Sequence, residues 1–318
     1  MIPVLLHQHA IRQRKAALKL RTKAPATSAI ERLARRLEPQ LRKRFLEAVK
    51  AAKSAVELDK LARAISGGNI SYAELHAKLQ EWPERFGELA IDLRAGFLAG
   101  GGVAYEFLDG ASANLRFDSI NPHAVNYAQR KLPQIVQQYG AGAKEIIRAI
   151  VAESVSGKYT ADEAARLIRD SIGLTPQYER AVRRLRDELI SQGITGERLE
   201  TKVDRYAAKL LRARAKTIAR TEIIQAEVSG QRALWNEAAL QGLFNRQTAR
   251  RMWRTNHEGT TDRGNPTPCP ICTPMNNQTI AFSGVYTHPE MGDVNVFGEV
   301  LHGPPLHPNC LCEEVLIL

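Results

Sequence analysis

Between Ile30 and Val49 the apolar residues Ile30, Leu33, Leu37, Leu41, Phe45 and Val49 recur at steps of three and four. That is the spacing of one buried face of an α-helix. Arg32, Arg35, Arg36, Arg42, Lys43 and Arg44 fall largely on its outer side, and Pro39 marks a candidate break. After a turn at Ser66-Gly67-Gly68-Asn69, short helical patterns run through Leu79 and from Pro83 to Leu98. Gly100-Gly101-Gly102 is the best candidate hinge. It lacks the lysine and the preceding strand of a phosphate-binding loop.

Helical spacing resumes from Pro122 to Val155 and ends near Gly157-Lys158. Thr160-Ala161-Asp162-Glu163 has the form of a capping box, and its helix is expected to stop at Gly173. Thr175-Pro176 opens another helix, with the threonine as N-cap and the proline where a missing N–H costs nothing. Its buried stripe is Tyr178, Val182, Leu185 and Leu189, with Arg180, Arg183, Arg184 and Asp187 facing away, and it ends near Gly193. Two short helices about Gly173, the second rich in arginine, fit a helix-turn-helix DNA-binding regulator. A plain helical hairpin with a solvated face gives the same pattern and is preferred.

The longest helical run, about 203–240, places Leu211, Ala215, Ile218, Glu222, Ala226, Ser229 and Ala233 in one sector at 100° per residue. A carboxylate among small apolar residues needs a partner. Glu222 is therefore expected to be at least half-buried and to form a structural ion pair or backbone hydrogen bonds, with Arg220 on the opposite side. A catalytic acid is the alternative, but no second carboxylate or histidine stands near it at useful spacing.

With 44% hydrophobic and only 6% aromatic residues, the composition is that of a folded, mainly α chain. Helical N-terminal (1–100) and central (101–245) regions are expected to precede a small C-terminal α+β module (246–318) stabilised by zinc. The net charge of +11 is one-sided: residues 1–65 hold 16 Lys+Arg against 5 Asp+Glu, and 66–318 hold 29 against 29. A basic N-terminal segment suits double-stranded DNA or an acidic partner, with Arg32, Arg35, Arg36, Arg42, Lys43 and Arg44 as contacts. A solvated arginine-rich face accounts for the same charges. Met1–Leu6 is too short to span a bilayer, and neither a secretory signal nor a membrane partner is expected.

All four cysteines lie near the end, in Cys269-Pro270-Ile271-Cys272 and His307-Pro308-Asn309-Cys310-Leu311-Cys312. A Cys-x2-Cys knuckle aims two thiolates at one point, and a second close pair completes a tetrahedron for structural zinc. Cys269, Cys272 and Cys310 are the firmest ligands, with Cys312 or His307 fourth. Strand alternation favours His307, whereas a tight knuckle turns both thiolates inward and favours Cys312. Cys312 is preferred because an all-cysteine set uses every thiol. Thr279–Phe282, Val294–Val296 and Glu313–Leu318 are expected to be short strands around the ion. His257-Glu258 before Cys269 has some likeness to a zinc deaminase, but the two are adjacent where that chemistry needs a one-residue gap. No enzyme activity is expected.

Ile218-Ala219-Arg220-Thr221-Glu222, the turn Ile172-Gly173-Leu174-Thr175-Pro176, Trp253 before Asp262, the Cys269/Cys272 knuckle and Pro304-Pro305-Leu306-His307-Pro308-Asn309-Cys310-Leu311-Cys312 together resemble the Mu protein F-like head-morphogenesis (minor capsid) family of tailed phages. The likeness covers residues 157–318. The chain departs from it at Leu311, where the family usually has arginine, and in a longer interval between Trp253 and Cys269. The resemblance implies a virion protein made in host cytoplasm that meets the portal protein and capsid or scaffolding protein during procapsid assembly. It also implies enclosure in the head and an influence on DNA packaging or delivery.

Overall fold

A computed structural model of the chain describes residues 29–108, 117, 121–255, 257–260 and 266–318, giving only the backbone at 107, 257–260 and 266–268. The part of the basic segment before residue 29, Asp262 and the side chains of His257 and Glu258 lie outside the described residues. The described residues form nine α-helices: α1 Ala29–Ser54, α2 Leu58–Ser66, α3 Ile70–His76, α4 Trp82–Arg85, α5 Leu89–Phe107, α6 Pro122–Val155, α7 Ala161–Ser171, α8 Pro176–Ser191 and α9 Gly196–Leu240. Five short strands follow: β1 Arg250–Arg254, β2 His257–Thr260, β3 Pro266–Pro268, β4 Thr279–Ala281 and β5 Glu313–Ile317. The fold is mainly α with a small C-terminal sheet. Among the described residues no helix is long and apolar enough to cross a membrane.

The chain divides into two compact units whose boundaries fall inside helices, unlike the linear division at 100 and 245. Unit one holds Met1–Glu38, Leu93–Val125 and Arg220–Leu318; unit two holds Pro39–Asp92 and Asn126–Ala219. Sequence periodicity marks helices, but where contacts thin out along a long helix depends on which segments meet in space.

Unit two packs an aromatic cluster of Phe45, Trp82, Phe86 and Tyr139 alongside two aliphatic ones. Leu61 and Ile65 of α2, Ile146, Ile147, Ile150 and Val151 of α6, and Leu167 and Ile168 of α7 form one buried cluster. A second, of Leu174, Val182, Leu189, Leu199 and Val203, joins α8 to the start of α9. The capping box forms: Thr160 Oγ1 accepts from the Glu163 N–H at 3.2 Å while the Glu163 carboxylate accepts from the Thr160 N–H at 2.9 Å. Thr175 caps α8 and Pro176 opens it. Arg183, expected to face away, is instead buried between Glu179 and Glu153, because two carboxylates reach it there and satisfy its charge.

In unit one the triple glycine is not a hinge; it lies inside α5. A Cβ on Gly100 would come within 1.8 Å of the Glu227 carbonyl oxygen, and one on Gly230 within 1.7 Å of that of Phe97. Glycines at 100 and 230 let the backbones of α5 and α9 meet where any side chain would hold them apart. Nor does Pro39 break α1, which continues for 26 residues. Burial of Ile30, Ala34, Leu41, Phe45 and Val49 along it offsets the lost hydrogen bond.

The C-terminal sheet has the order β4-β1-β5, antiparallel throughout, and β2 pairs with β3. The central strand, Arg-Arg-Met-Trp-Arg, was not expected from a sequence with three cations in five residues. Val294–Val296 is not a strand; it contributes one isolated bridge, Val294 to Val300.

Candidate metal centre

The C-terminal module is built outward from a buried ion pair. Arg251 of β1 is 2% exposed, and its guanidinium donates to the Phe282, His302 and Gly284 carbonyls at 2.7, 2.6 and 2.6 Å and to Glu314 at 2.5 Å. Burial pushes the Glu314 carboxyl up, while Arg232 and Arg251 draw it back down. Gly303 leaves room for that carboxylate, since a Cβ there would lie 2.8 Å from it. Two residues along, on the same face of β1, Trp253 is fully buried in one cluster with all four cysteines and meets Tyr286 edge-on at 5.2 Å.

Two loops bring the donors to this floor. In the knuckle, the Thr273 N–H and hydroxyl both donate to the Cys269 carbonyl, at 2.9 and 2.7 Å, and Pro270 and Ile271 turn outward so that both thiols turn in. His288, which no sequence feature singled out, is 3% exposed; its Nε2 donates to the Ile271 carbonyl at 3.0 Å, and its Nδ1 accepts from the Glu290 and Met291 N–H groups. In the second loop Asn309 takes a left-handed backbone (φ 63°), and its N–H donates to Thr221 Oγ1 of α9 at 3.0 Å. Thr221 thus fixes the segment between His307 and Cys310.

Cys269, Cys272 and His307 converge, as do Cys272, Cys310 and Cys312, each set having its ligand atoms within 4.8 Å of one another. The cysteines form no disulfide. Cys272 Sγ and Cys310 Sγ are 3.7 Å apart. Two sulfurs bound tetrahedrally at about 2.3 Å from one ion would stand about 3.8 Å apart, so the spacing suits a shared metal. His307 Nε2 lies 3.1 Å from both Cys269 and Cys272 sulfurs, while its Nδ1 donates to the Pro308 carbonyl at 2.7 Å. That outer hydrogen bond leaves a lone pair on Nε2, the tautomer a metal requires. Hydrogen bonding to Cys310 and Cys312 pushes the Cys272 thiol up. Burial raises Cys310, but hydrogen bonds from Cys272 and Cys312 and the nearby His307 bring it well below the usual thiol range.

All five expected donors are therefore together and can hold a metal ion. Alternation does not separate Cys310 from Cys312, because β5 begins only at Glu313 and both thiols turn inward.

The remaining sequence candidates are spread along α1 and α9. Arg35 pairs with Glu31 at 2.6 Å, Lys43 with Glu47 at 3.9 Å, and Arg44 with Asp92. Arg32 and Arg36 are exposed and Arg42 is half-buried. Glu222 is 8% exposed, and Arg220 reaches Glu38 at 3.2 Å. The inner sector read for this helix is too narrow: from Thr221 to Ile224 every residue is buried, and burial continues on most sides to Trp235. Glu227, overlooked in the sequence, is fully buried, and among the described residues neither carboxylate oxygen has a hydrogen-bond partner. Burial raises its carboxyl well above the usual range, opposed by Arg36. No family model, curated protein or solved structure matches the chain.

Proposed function

We propose that the chain is a structural protein of a tailed-phage head, of the minor capsid type its second half resembles. Its C-terminal module is locked by zinc, and it works without a catalytic step. The observation that carries this reading is the order of motifs from Gly173 to Cys312 together with the closed donor cluster at their end. A soft, buried set of thiols and one imidazole favours zinc over oxygen-seeking ions. Cys269, Cys272 and Cys310 are three ligands, with Cys312 or His307 the fourth.

On this reading the protein joins the portal protein and inner shell, with capsid or scaffolding protein as neighbours, and is enclosed in the virion. The helix-turn-helix alternative loses support because α8 spends Arg183 and Arg186 on Glu179, Glu153 and Glu200. Co-expression with the portal protein, followed by affinity purification, tests the assembly role. Co-purification in procapsids is expected, and its absence would overturn the reading.

A further inference from the structure

Over its first half α9 sorts charge by side. Arg198, Lys202, Arg205, Lys209, Arg212 and Lys216 follow steps of four and three, and all six are exposed. At 100° per residue they fall within about 40° of one line, which runs for about 27 Å. The acids of this stretch lie off that line. Glu200 accepts from both terminal nitrogens of Arg186 in α8, at 3.0 and 2.6 Å, and Asp204 lies in the field of Asp170, Lys53 and Arg169. None of the six cations has a carboxylate within ion-pair distance among the described residues. Like charges at i, i+4 work against a helix, so an unmixed row is not what helix stability alone would select.

The surroundings narrow the partner. Protein interfaces centre on apolar and aromatic anchors and are depleted in lysine, but this row is flanked by Thr201, Ala208 and Ala213. Single-stranded nucleic acid needs exposed rings to stack on, and Tyr206, the aromatic residue of this stretch, packs into the α8/α9 core. What remains is an extended, evenly charged backbone.

We propose that this row docks the phosphate backbone of double-stranded DNA, without reading its sequence. The surface differs from the α1 arginines, lies wholly in unit two, and stands whether or not the chain is a head protein.

Fluorescence anisotropy of the full chain with a mixed-sequence duplex of about 30 base pairs, between about 50 and 200 mM salt, tests it. Six phosphate contacts give a slope of log affinity against log salt of about −5. Changing Arg205→Gln, Lys209→Gln and Arg212→Gln together should make the slope less negative by about 3 and weaken binding about a hundredfold near 0.1 M salt. Lys202→Arg with Lys209→Arg and Lys216→Arg should keep the native slope, and so should Arg32→Gln with Arg35→Gln and Arg36→Gln. Circular dichroism verifies that each variant is folded. The proposal is overturned if the native chain binds no duplex, if the folded Gln variant keeps the native slope, if the α1 variant is the one that loses binding, or if poly-glutamate binds as tightly as duplex.

Discussion

The aliphatic cluster of α2, α6 and α7 and the floor beneath the cysteines are both buried, yet they are built from different materials. The first packs Leu61, Ile65, Ile146, Ile150 and Ile168 against one another, with Tyr159 at its margin. The second surrounds Trp253, Met275 and Tyr286 with four thiols and rests on a buried arginine–glutamate pair. A long helix can supply an apolar stripe of any length. A module of short strands cannot, so it closes its core with groups that bind one another strongly but fail badly when one partner is removed. Tolerance to change is expected to differ accordingly.

Cys272 is where the two regions should differ most, because it belongs to both donor sets. Cys272→Ser should abolish stoichiometric zinc and unfold the module, since structural zinc contributes on the order of 10 kcal/mol to small folds. Metal content by mass spectrometry and the change in near-ultraviolet signal, to which buried Trp253 and Tyr286 contribute, measure this. Chelator should reproduce the effect on the native chain while leaving most helical signal in place. A variant that keeps its metal would remove the basis for the shared-ligand assignment.

Arg251→Met comes next. It strands Glu314 without its main partner and should destabilise by about 3–5 kcal/mol, as removal of one member of a buried pair does. A loss under about 1 kcal/mol in urea unfolding would mean that Arg232, 3.7 Å from the same carboxylate, suffices alone.

Glu227 makes the contrast depend on pH. Its folded carboxyl is raised by burial above the usual 4.5, so the folded state keeps a proton that the unfolded chain has released. The stabilisation is complete below the unfolded value and declines as pH rises toward the folded one. Glu227→Gln should flatten that decline, with its melting temperature gaining on the native protein from about pH 5 upward. Parallel curves would show that the side chain titrates normally.

Within the aliphatic cluster, Ile150→Val should cost only about 1 kcal/mol, as trimming one buried methyl does elsewhere. A loss as large as that from Arg251→Met would erase the distinction between the regions.

Much of this was legible beforehand. The caps at Thr160 and Thr175 depend on neighbours three residues away, so local sequence sufficed to place them. The donor set was legible because a Cys-x2-Cys knuckle and a second cysteine pair carry their geometry in their spacing. Arg251 and His288 were not, because an arginine in a strand or a histidine in a loop gains meaning only from carbonyls and carboxylates far away in the chain. The triple glycine was misread for the same reason: permissive backbone and close helix contact look identical until the facing helix is known.

The amino-acid order by itself determined the helices, their caps and the identity of the five clustered residues that can hold a metal, since each follows from contacts a few residues apart or from side-chain chemistry. It also held the row of cations on α9, concealed by a balance of 29 against 29 until the helix limits were known. Only the tertiary structure decided that Glu227 is shut away from water, that Arg251 is buried among three carbonyls and Glu314, and that Thr221 holds the loop between His307 and Cys310. Burial and long-range pairing are properties of surfaces brought together from distant segments, and no local pattern records which segments those will be.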